Sequence, residues 1–355
     1  MQGVSAMTSA AIIDAPQHVL AIAELRLRGL LPGDFSIVVA RGLGHAAQEN
    51  HQLIDVTLQQ LDQAIQPQRV IHYPILNRCQ ALNRSIVTRL VRQLMPVECL
   101  ALGTPGAYIY RSALSPKSGD CIYWLDDGSM ASSPELVARD YEPQSRWQSF
   151  VRRIAGSPLG GANEFAFTCY PEFSVKHASM ANDFSFLSRF VLGGLAPIQG
   201  PIALTAYVDT YHRGVPADSL IKLLEAVRDQ LQMDLYIPHR STPEGLRDSV
   251  ERDLGVRVFR PKTPVELWSL SQAVSAKLLI APGSAWRTID ILRRHTGWRH
   301  QVAFVELSSW FLEATVDSRP TAVSLKRRGE IYRRAQDLYL LDDSAKRVTL
   351  MANPT

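Results

Sequence analysis

Short apolar runs that alternate with helix-patterned segments are the feature that most constrains the fold of this chain. In the N-terminal half, the runs at 10–14, 35–40 and 97–102 are strand-like, and segments with apolar residues at helical spacing lie between them. The C-terminal half repeats this alternation, from a strand-like run at 202–208 to another at 302–305. Strands that alternate with helices form a mostly parallel sheet covered by helices on both faces. The sequence therefore predicts an α/β fold.

The length of 355 residues exceeds what one hydrophobic core usually supports, so two domains are expected. The chain becomes polar and then rich in Gly and Pro between 141 and 161, which places the connection there. We expect two facing Rossmann-like domains with a cleft between them, residues 1–155 and 156–325. A C-terminal helical segment, 326–355, is expected to pack back on the first domain.

Composition excludes several classes of protein. Charged residues make up 20% of the chain, the net charge is +4, and no basic block is interleaved with aromatic residues, so a nucleic-acid partner is not expected. The four cysteines are widely spaced without a CxxC pair, which argues against structural zinc and for a reducing compartment. No run approaches the length of a membrane span, and the start lacks a signal-like pattern. We expect a soluble cytoplasmic protein whose mild positive charge is compatible with contact with the inner membrane face.

Candidate site residues follow from a rule of parallel α/β sheets, in which ligands bind beyond the carboxyl ends of the strands. Four loops satisfy that rule: Pro16-Gln17, Asp126-Asp127-Gly128-Ser129, Pro238-His239-Arg240 and Pro282-Gly283-Ser284. The first two belong to the first half of the chain and the last two to the second half. A site that draws on both halves is therefore expected.

The loop Asp126–Ser129 ends the run CIYWL with two adjacent carboxylates and a glycine. Two neighbouring carboxylates could not both stay ionised in a core, so this loop is expected at a surface or a cleft. Either it supplies a carboxylate base beside a glycine that lets a substrate approach, or it is an ordinary Asp-Gly turn. Two acids with no further carboxylate cluster are a poor magnesium site, so no metal is expected.

Three residues of the second half have polar chemistry suited to a phosphate or a sugar. His239 follows a strand and a proline, where it either acts in catalysis, by binding a phosphate or donating a proton to a leaving group, or simply closes the strand at the surface. Ser284 opens a helix, so it is either an N-cap or part of a phosphate site made by the helix N–H groups. Glu266 lies in the first turn of a helix, where it either favours the dipole or binds ribose hydroxyls.

One competing motif is Gly42-Leu43-Gly44-His45-Ala46-Ala47, which fits the G-x-G-x-x-A form of a dinucleotide fingerprint. It follows the second strand rather than the first, and the strand 70–73 does not end in the acidic residue that a ribose would require. An NAD-dependent oxidoreductase is therefore the alternative rather than the leading hypothesis. The chain has no G-x-S-x-G elbow and no H-E-x-x-H motif.

Taken in order, the motifs resemble those of the bacterial sialyltransferases, in particular the polysialyltransferase and lipooligosaccharide sialyltransferase group. The resemblance rests on D-D-G-S at Asp126–Ser129, Y-I-P-H-R at 236–240, P-V-E at 264–266, G-S-A at 283–285 and the start Ala15-Pro16-Gln17. It extends over residues 12–307, diffusely outside the motifs. Gly283 departs from the family, which has a serine there.

The resemblance implies a GT-B-like fold and inverting, metal-independent transfer of sialic acid, or a related sugar such as Kdo, from a CMP-activated donor to a glycan or glycolipid acceptor. It implies no cofactor. Asp127 would be the general base and Asp126 would support it, with Gly128, Ser129 and Gln17 on the acceptor side. His239, Ser284 and Gly283 would contact the phosphate of CMP together with Pro238 and Arg240, and Glu266 would hold the ribose. The departure at Gly283 leaves a third hypothesis, a two-domain binding protein without catalysis.

Overall fold

The structure is a computed structural model, and it describes residues 8–41, 45–74, 97–103, 121–126, 163–169, 171, 178–192, 204–209, 217–240, 242–271, 276–281, 284–294, 302–306 and 346–349. The chain divides into two compact units, Met1–Leu187 and Ser188–Thr355. Each unit is built around one parallel sheet. No helix within the described ranges is long and apolar enough to cross a membrane.

The first unit contains a seven-stranded sheet. Its strands are β1 (Thr8–Ile13), β2 (Asp34–Arg41), β3 (Arg69–Pro74), β4 (Cys99–Leu102), β5 (Cys121–Leu125), β6 (Asn163–Thr168) and β7 (Ala178–Ala181). The order is β3-β2-β1-β4-β5-β6-β7, and every described pair is parallel. The helices described in this part of the chain are α1 (Pro16–Leu27), α2 (His45–Gln60), α3 (Asp62–Ile65) and α4 (Ser185–Leu192), which runs across the boundary between the units.

The second unit contains a six-stranded parallel sheet. Its strands are β8 (Leu204–Val208), β9 (Leu235–Ile237), β10 (Arg257–Val258), β11 (Ala276–Ile280), β12 (Val302–Glu306) and β13 (Lys346–Thr349), in the order β10-β9-β8-β11-β12-β13. The described helices between them are α5 (Ala217–Leu231), α6 (Glu244–Leu254), α7 (Val265–Ser271) and α8 (Ser284–Arg294).

The central strands are apolar because parallel sheets are buried on both faces. All four residues of β4 are buried, and so are five of the six residues of β1. The helix α5 is instead amphipathic, because Leu223, Leu224 and Val227 are buried on one face and the other face is charged. In the second unit the buried rings of Tyr207 and Tyr236 stack with their centroids 6.4 Å apart.

The predicted α/β class is confirmed, and both sheets carry the strand order 3-2-1-4-5-6 of the Rossmann fold, extended by one strand in the first. The division between the units lies after Leu187, later than the expected residue 155, because β6 and β7 pair with β5 in the first sheet. Residues 346–349 fall within the segment expected to be helical, but they form β13 beside β12. The cleft between the two halves stays a prediction.

Candidate functional site

The strand orders define a ligand-binding edge in each sheet. The chain leaves β1 toward β2 on one side and returns at β4 on the other, so the crevice of the first sheet opens beyond the carboxyl ends of β1 and β4. In the second sheet the corresponding pair is β8 and β11. Residues that follow these strands and their neighbours β5 and β9 are therefore placed where a Rossmann sheet binds ligands.

Asp126 lies at this edge of the first sheet, directly after β5, and it is half-buried. Its Oδ2 atom accepts a hydrogen bond from the backbone N–H of Cys169, which follows β6, at 2.6 Å. The side chain of Thr168, at the end of β6, also hydrogen-bonds to this carboxyl group. The carboxylate is thus fixed between the ends of two adjacent strands rather than left in an open turn.

Burial raises the pKa of Asp126 from 3.8 to about 6, because the charged form loses hydration. The hydrogen bonds from Thr168 and Cys169 and the charge of His18 act in the opposite direction and limit the shift. A carboxyl group that titrates near neutral pH at a ligand-binding edge has the chemistry of a functional acid or base.

His18 is a fully buried polar residue at this edge, and it lies in the first turn of α1. Its Nδ1 atom accepts hydrogen bonds from the backbone N–H groups of Ala15, at 3.2 Å, and Asp14, at 3.4 Å. The same Nδ1 atom lies 3.2 Å from Oδ1 of Asp14. His18 is the third residue of α1, so the contact with the N–H of Ala15 reproduces one half of a capping box, the bond from the N-cap N–H to the N3 side chain; Ala15 has no side-chain oxygen for the other half.

Gly103 explains how the imidazole fits at the end of β4. A Cβ atom on Gly103 would lie 2.4 Å from Nδ1 of His18, far inside van der Waals contact. The backbone N–H of Gly103 also binds the carbonyl of Ile12 at 2.9 Å, so the glycine continues the pairing of β4 with β1. The ring therefore lies between the start of α1 and the end of β4, in the crevice of the first sheet.

In the second sheet, Pro238, His239 and Arg240 follow β9 as predicted. The carbonyl of His239 accepts a hydrogen bond from the N–H of Thr242 at 2.9 Å, which closes a turn. His239 is half-buried and Arg240 is exposed. The turn thus presents an imidazole and a guanidinium group at the carboxyl edge of this sheet.

Glu266 lies in the first turn of α7 and is half-buried. Burial raises the pKa of its carboxyl group, while a hydrogen bond from its own backbone N–H and the charge of Arg240 lower it. Glu266, predicted to hold a ribose, and Arg240, predicted to bind the donor, are therefore near enough in the fold for their charges to interact. Ser284, the first residue of α8, follows β11 at the same edge, so the predicted helix start is confirmed.

Asp209 is a residue of this edge that sequence reasoning missed. It follows β8 directly, and its Oδ2 atom accepts a hydrogen bond from the Tyr236 hydroxyl at 2.6 Å. Burial and the charge of Asp209 raise the pKa of Tyr236 well above 10. The rule that selects Pro238 also applies to Asp209, because both follow a strand at its carboxyl end.

The predicted site residues thus fall into three groups. At the edge of the first sheet lie Asp126 and Gln17, which is half-buried in the first turn of α1. Near the edge of the second sheet lie four predicted residues, Pro238, His239, Arg240 and Glu266. For Ser284 the structure gives the backbone position alone. Asp127, Gly128, Ser129 and Gly283 lie outside the described residues. The sequence favours His239 over His18, because a lone histidine in an apolar helix usually belongs to the core.

The competing dinucleotide motif follows a strand that does not border the crevice of its sheet. It follows β2, which pairs with β1 on one side and β3 on the other, whereas the crevice lies between β1 and β4. Gly42 and Gly44 are outside the described residues. In the described part of the chain, no group of three or more His, Cys, Asp or Glu residues is arranged to hold a metal ion.

No protein-family model matches the sequence, and no curated protein matches it significantly. Among solved structures, a UDP-GlcNAc 2-epimerase from Neisseria meningitidis bound to UDP-GlcNAc is 13% identical, over 93% of this chain and 90% of that chain, with a TM-score of 0.43. A glycosyltransferase from Rickettsia africae is 11% identical over 96% and 100%, with a TM-score of 0.37. A UDP-glucosyltransferase from Polygonum tinctorium is 11% identical over 96% and 96%, with a TM-score of 0.41. Likenesses at this level assign no activity to the chain.

Proposed function

We propose that this protein is an inverting glycosyltransferase that moves sialic acid, or a related nonulosonic acid, from a CMP-activated donor to a hydroxyl group of a glycan acceptor. The observation that carries the proposal is the cluster of His239, Arg240 and Glu266 at the carboxyl edge of the second Rossmann sheet. These residues are among those that the resemblance to the bacterial sialyltransferases singles out, and the charge of Arg240 acts on Glu266.

The chemistry of this cluster suits a nucleoside monophosphate leaving group. His239 and Arg240 offer N–H donors for one phosphate group, and Glu266 offers acceptors for ribose hydroxyls. The N-terminus of α8 follows β11 at the same edge, and its backbone N–H groups favour an anion. A single phosphate carries less charge than a diphosphate, so in this proposal these groups stabilise it and no metal ion is required.

On the acceptor side, the reaction needs a base that removes the hydroxyl proton while the oxygen attacks the anomeric carbon. In the proposed assignment Asp127 accepts that proton, the bond from the anomeric carbon to the phosphate oxygen breaks, and CMP leaves with the electron pair. Asp126, fixed by Cys169 and Thr168, places a second carboxyl group next to the base in sequence. Its charge would favour the positive charge that develops on the sugar ring, by analogy with glycoside hydrolysis.

The deciding experiment measures CMP release by the purified protein from CMP-sialic acid, with CMP-Kdo as a second donor, over a panel of glycan acceptors. Asp127→Ala removes the proposed base, and His239→Ala removes the proposed phosphate contact. Each variant should lower turnover by about a hundredfold or more, while its circular dichroism spectrum stays unchanged. His72→Ala is the matched control, because His72 is an exposed histidine on the edge strand β3.

Normal turnover in both variants would refute the proposed assignment. A CMP complex without turnover on any acceptor would instead favour a binding protein. The oxidoreductase alternative is tested by measuring the melting temperature of the protein with a nicotinamide dinucleotide. A ligand that binds only the folded state must raise this temperature, so an unchanged value would exclude the alternative.

A further inference from the structure

Arg247 is a buried charge that the proposed assignment does not use. It lies on α6, the helix that follows the turn of His239 and Arg240, and only 8% of the residue is exposed. Its Nη2 atom donates a hydrogen bond to the carbonyl of Thr242. Within the described part of the chain this is the one hydrogen bond of the guanidinium group, its buried Nε atom has no acceptor, and no carboxylate pairs with it.

Burial cannot neutralise this side chain, because a guanidinium group keeps its proton in proteins. A buried charge is costly unless an opposite charge and further hydrogen bonds compensate for it. One hydrogen bond to the neutral carbonyl of Thr242 provides no opposite charge. A role limited to holding the turn therefore leaves the charge of Arg247 unexplained, whereas a bound anion would balance it.

The contact with Thr242 places the guanidinium group at the N-terminus of α6. Thr242 directly precedes Pro243, the N-cap residue, whose carbonyl accepts the N–H groups of the third and fourth residues of the helix at 3.2 Å and 3.4 Å. The first two helical N–H groups, of Glu244 and Gly245, have no partner within a helix, and the N-cap side chain offers no acceptor. Free N–H groups and the positive end of the helix dipole both favour an anion.

The same turn has room for a ligand. A Cβ atom added to Gly245 would meet nothing within 4 Å, so the backbone there is open to close approach. His239 and Arg240, which precede the helix, offer further N–H donors at this edge of the sheet. The opposing charge in the first turn is the carboxylate of Glu244, which is exposed, so solvent and salt weaken its effect.

We infer that Arg247 and the N-terminus of α6 form an oxyanion-binding site, which takes an anionic group of the CMP-activated donor. The inference rests on the proposed function and adds a binding residue to it. The donor carries two such groups, the phosphate and the carboxylate of the sugar. A guanidinium group binds either one through charge-assisted hydrogen bonds, so the two sources are separated by experiment.

The first test measures binding to the full chain by isothermal titration calorimetry, with CMP, cytidine and free sialic acid as probes. Arg247→Met removes the charge while keeping an apolar stem, and Arg247→Lys keeps the charge without the planar donor group. In Arg247→Met the Kd of CMP, of sialic acid or of both should rise by about tenfold to a hundredfold, and that of cytidine by less than about twofold. Arg247→Lys should lose less affinity than Arg247→Met.

The pattern of losses identifies the anion. A weaker affinity for CMP alone assigns the phosphate to Arg247, and a weaker affinity for sialic acid alone assigns the carboxylate. The matched control is Arg252→Met, because Arg252 is an exposed arginine on the same helix, and it should leave all three constants unchanged. An equal loss of affinity for all three probes in Arg247→Met would contradict a role directed at the anion.

The second test separates an anion site from a residue that only holds the turn. Without ligand, Arg247→Met should melt at the same temperature as the wild type or higher, because it removes an unpaired buried charge. Inorganic phosphate at low millimolar concentration, compared with chloride at equal ionic strength, should raise the melting temperature of the wild type more than that of Arg247→Met. Equal rises in the two proteins would overturn the inference.

Unchanged affinities for CMP and sialic acid in Arg247→Met would also overturn the inference, and so would a wild type that binds neither probe. Binding is measured without turnover, so the two proposals can fail separately. If Arg247→Met weakens binding but the wild type transfers no CMP-activated sugar to any acceptor, the proposed transfer is overturned, while the oxyanion site at α6 is supported.

Discussion

Replacing Asp126 by Asn should make the protein more stable at neutral pH, and the gain should depend on pH. The folded chain holds this carboxyl group at a pKa of about 6, against 3.8 for the ordinary value. Between these values the folded state binds more protons than the unfolded state, so stability falls as pH rises through that window. The stabilisation from the raised pKa is therefore complete below about pH 4 and lost above about pH 6.

The two pKa values set the size of the effect. One unit corresponds to about 1.4 kcal/mol, so the shift corresponds to about 3 kcal/mol. Asp126 is half-buried, and the solvent that reaches it reduces this figure, so about 1–3 kcal/mol is expected. Asn cannot ionise, and its Oδ1 atom can still accept the hydrogen bond from the N–H of Cys169.

The assay is urea unfolding at several pH values between 4 and 8, followed by circular dichroism and by tryptophan fluorescence, because a chain of two units need not unfold in one step. The free energy of unfolding of Asp126→Asn relative to the wild type should rise by about 1–3 kcal/mol from pH 4 to pH 8. Asp248→Asn, an exposed carboxylate on α6, should change by less than about 0.5 kcal/mol. If the free energy of unfolding of Asp126→Asn relative to the wild type does not vary with pH, or falls as pH rises, burial does not raise the pKa of Asp126 and the reasoning is refuted.

Two further substitutions test the packing that supports the site. Gly103→Ala should destabilise the protein by about 1–3 kcal/mol, because its Cβ atom would overlap the His18 ring, whereas Gly245→Ala, which meets nothing within 4 Å, should be neutral or slightly stabilising in the same thermal melts. An equal effect of both changes would contradict the tight contact. Glu24→Gln should cost about 2–4 kcal/mol in urea unfolding, since this fully buried carboxylate accepts the N–H of Leu187 at 2.7 Å and binds Arg28 at 2.7 Å. Glu225→Gln is its exposed control, and equal losses in the two would show that burial of Glu24 is unimportant.

Local pattern in the sequence determined the element types and the position of most candidate residues. Apolar runs predict β1, β2 and β4 because buried parallel strands must be apolar on both faces. A polar residue directly after such a run is then at a ligand edge, which is why the amino-acid sequence alone points to Asp126 and His239. These inferences depend on residues that are neighbours along the chain.

Only the tertiary structure decided which strands are neighbours. The boundary between the units lies beyond residue 155 because a polar, Gly- and Pro-rich stretch indicates a connection but does not show that β6 and β7 still pair with the first sheet. The sequence does not show the electrostatic effect of His18 on Asp126 for the same reason, since the two residues are more than a hundred positions apart along the chain. The burial that raises the pKa of Asp126 likewise comes from distant segments packed around it. Desolvation and charge act through space, so the chemistry of this edge is a property of the folded chain.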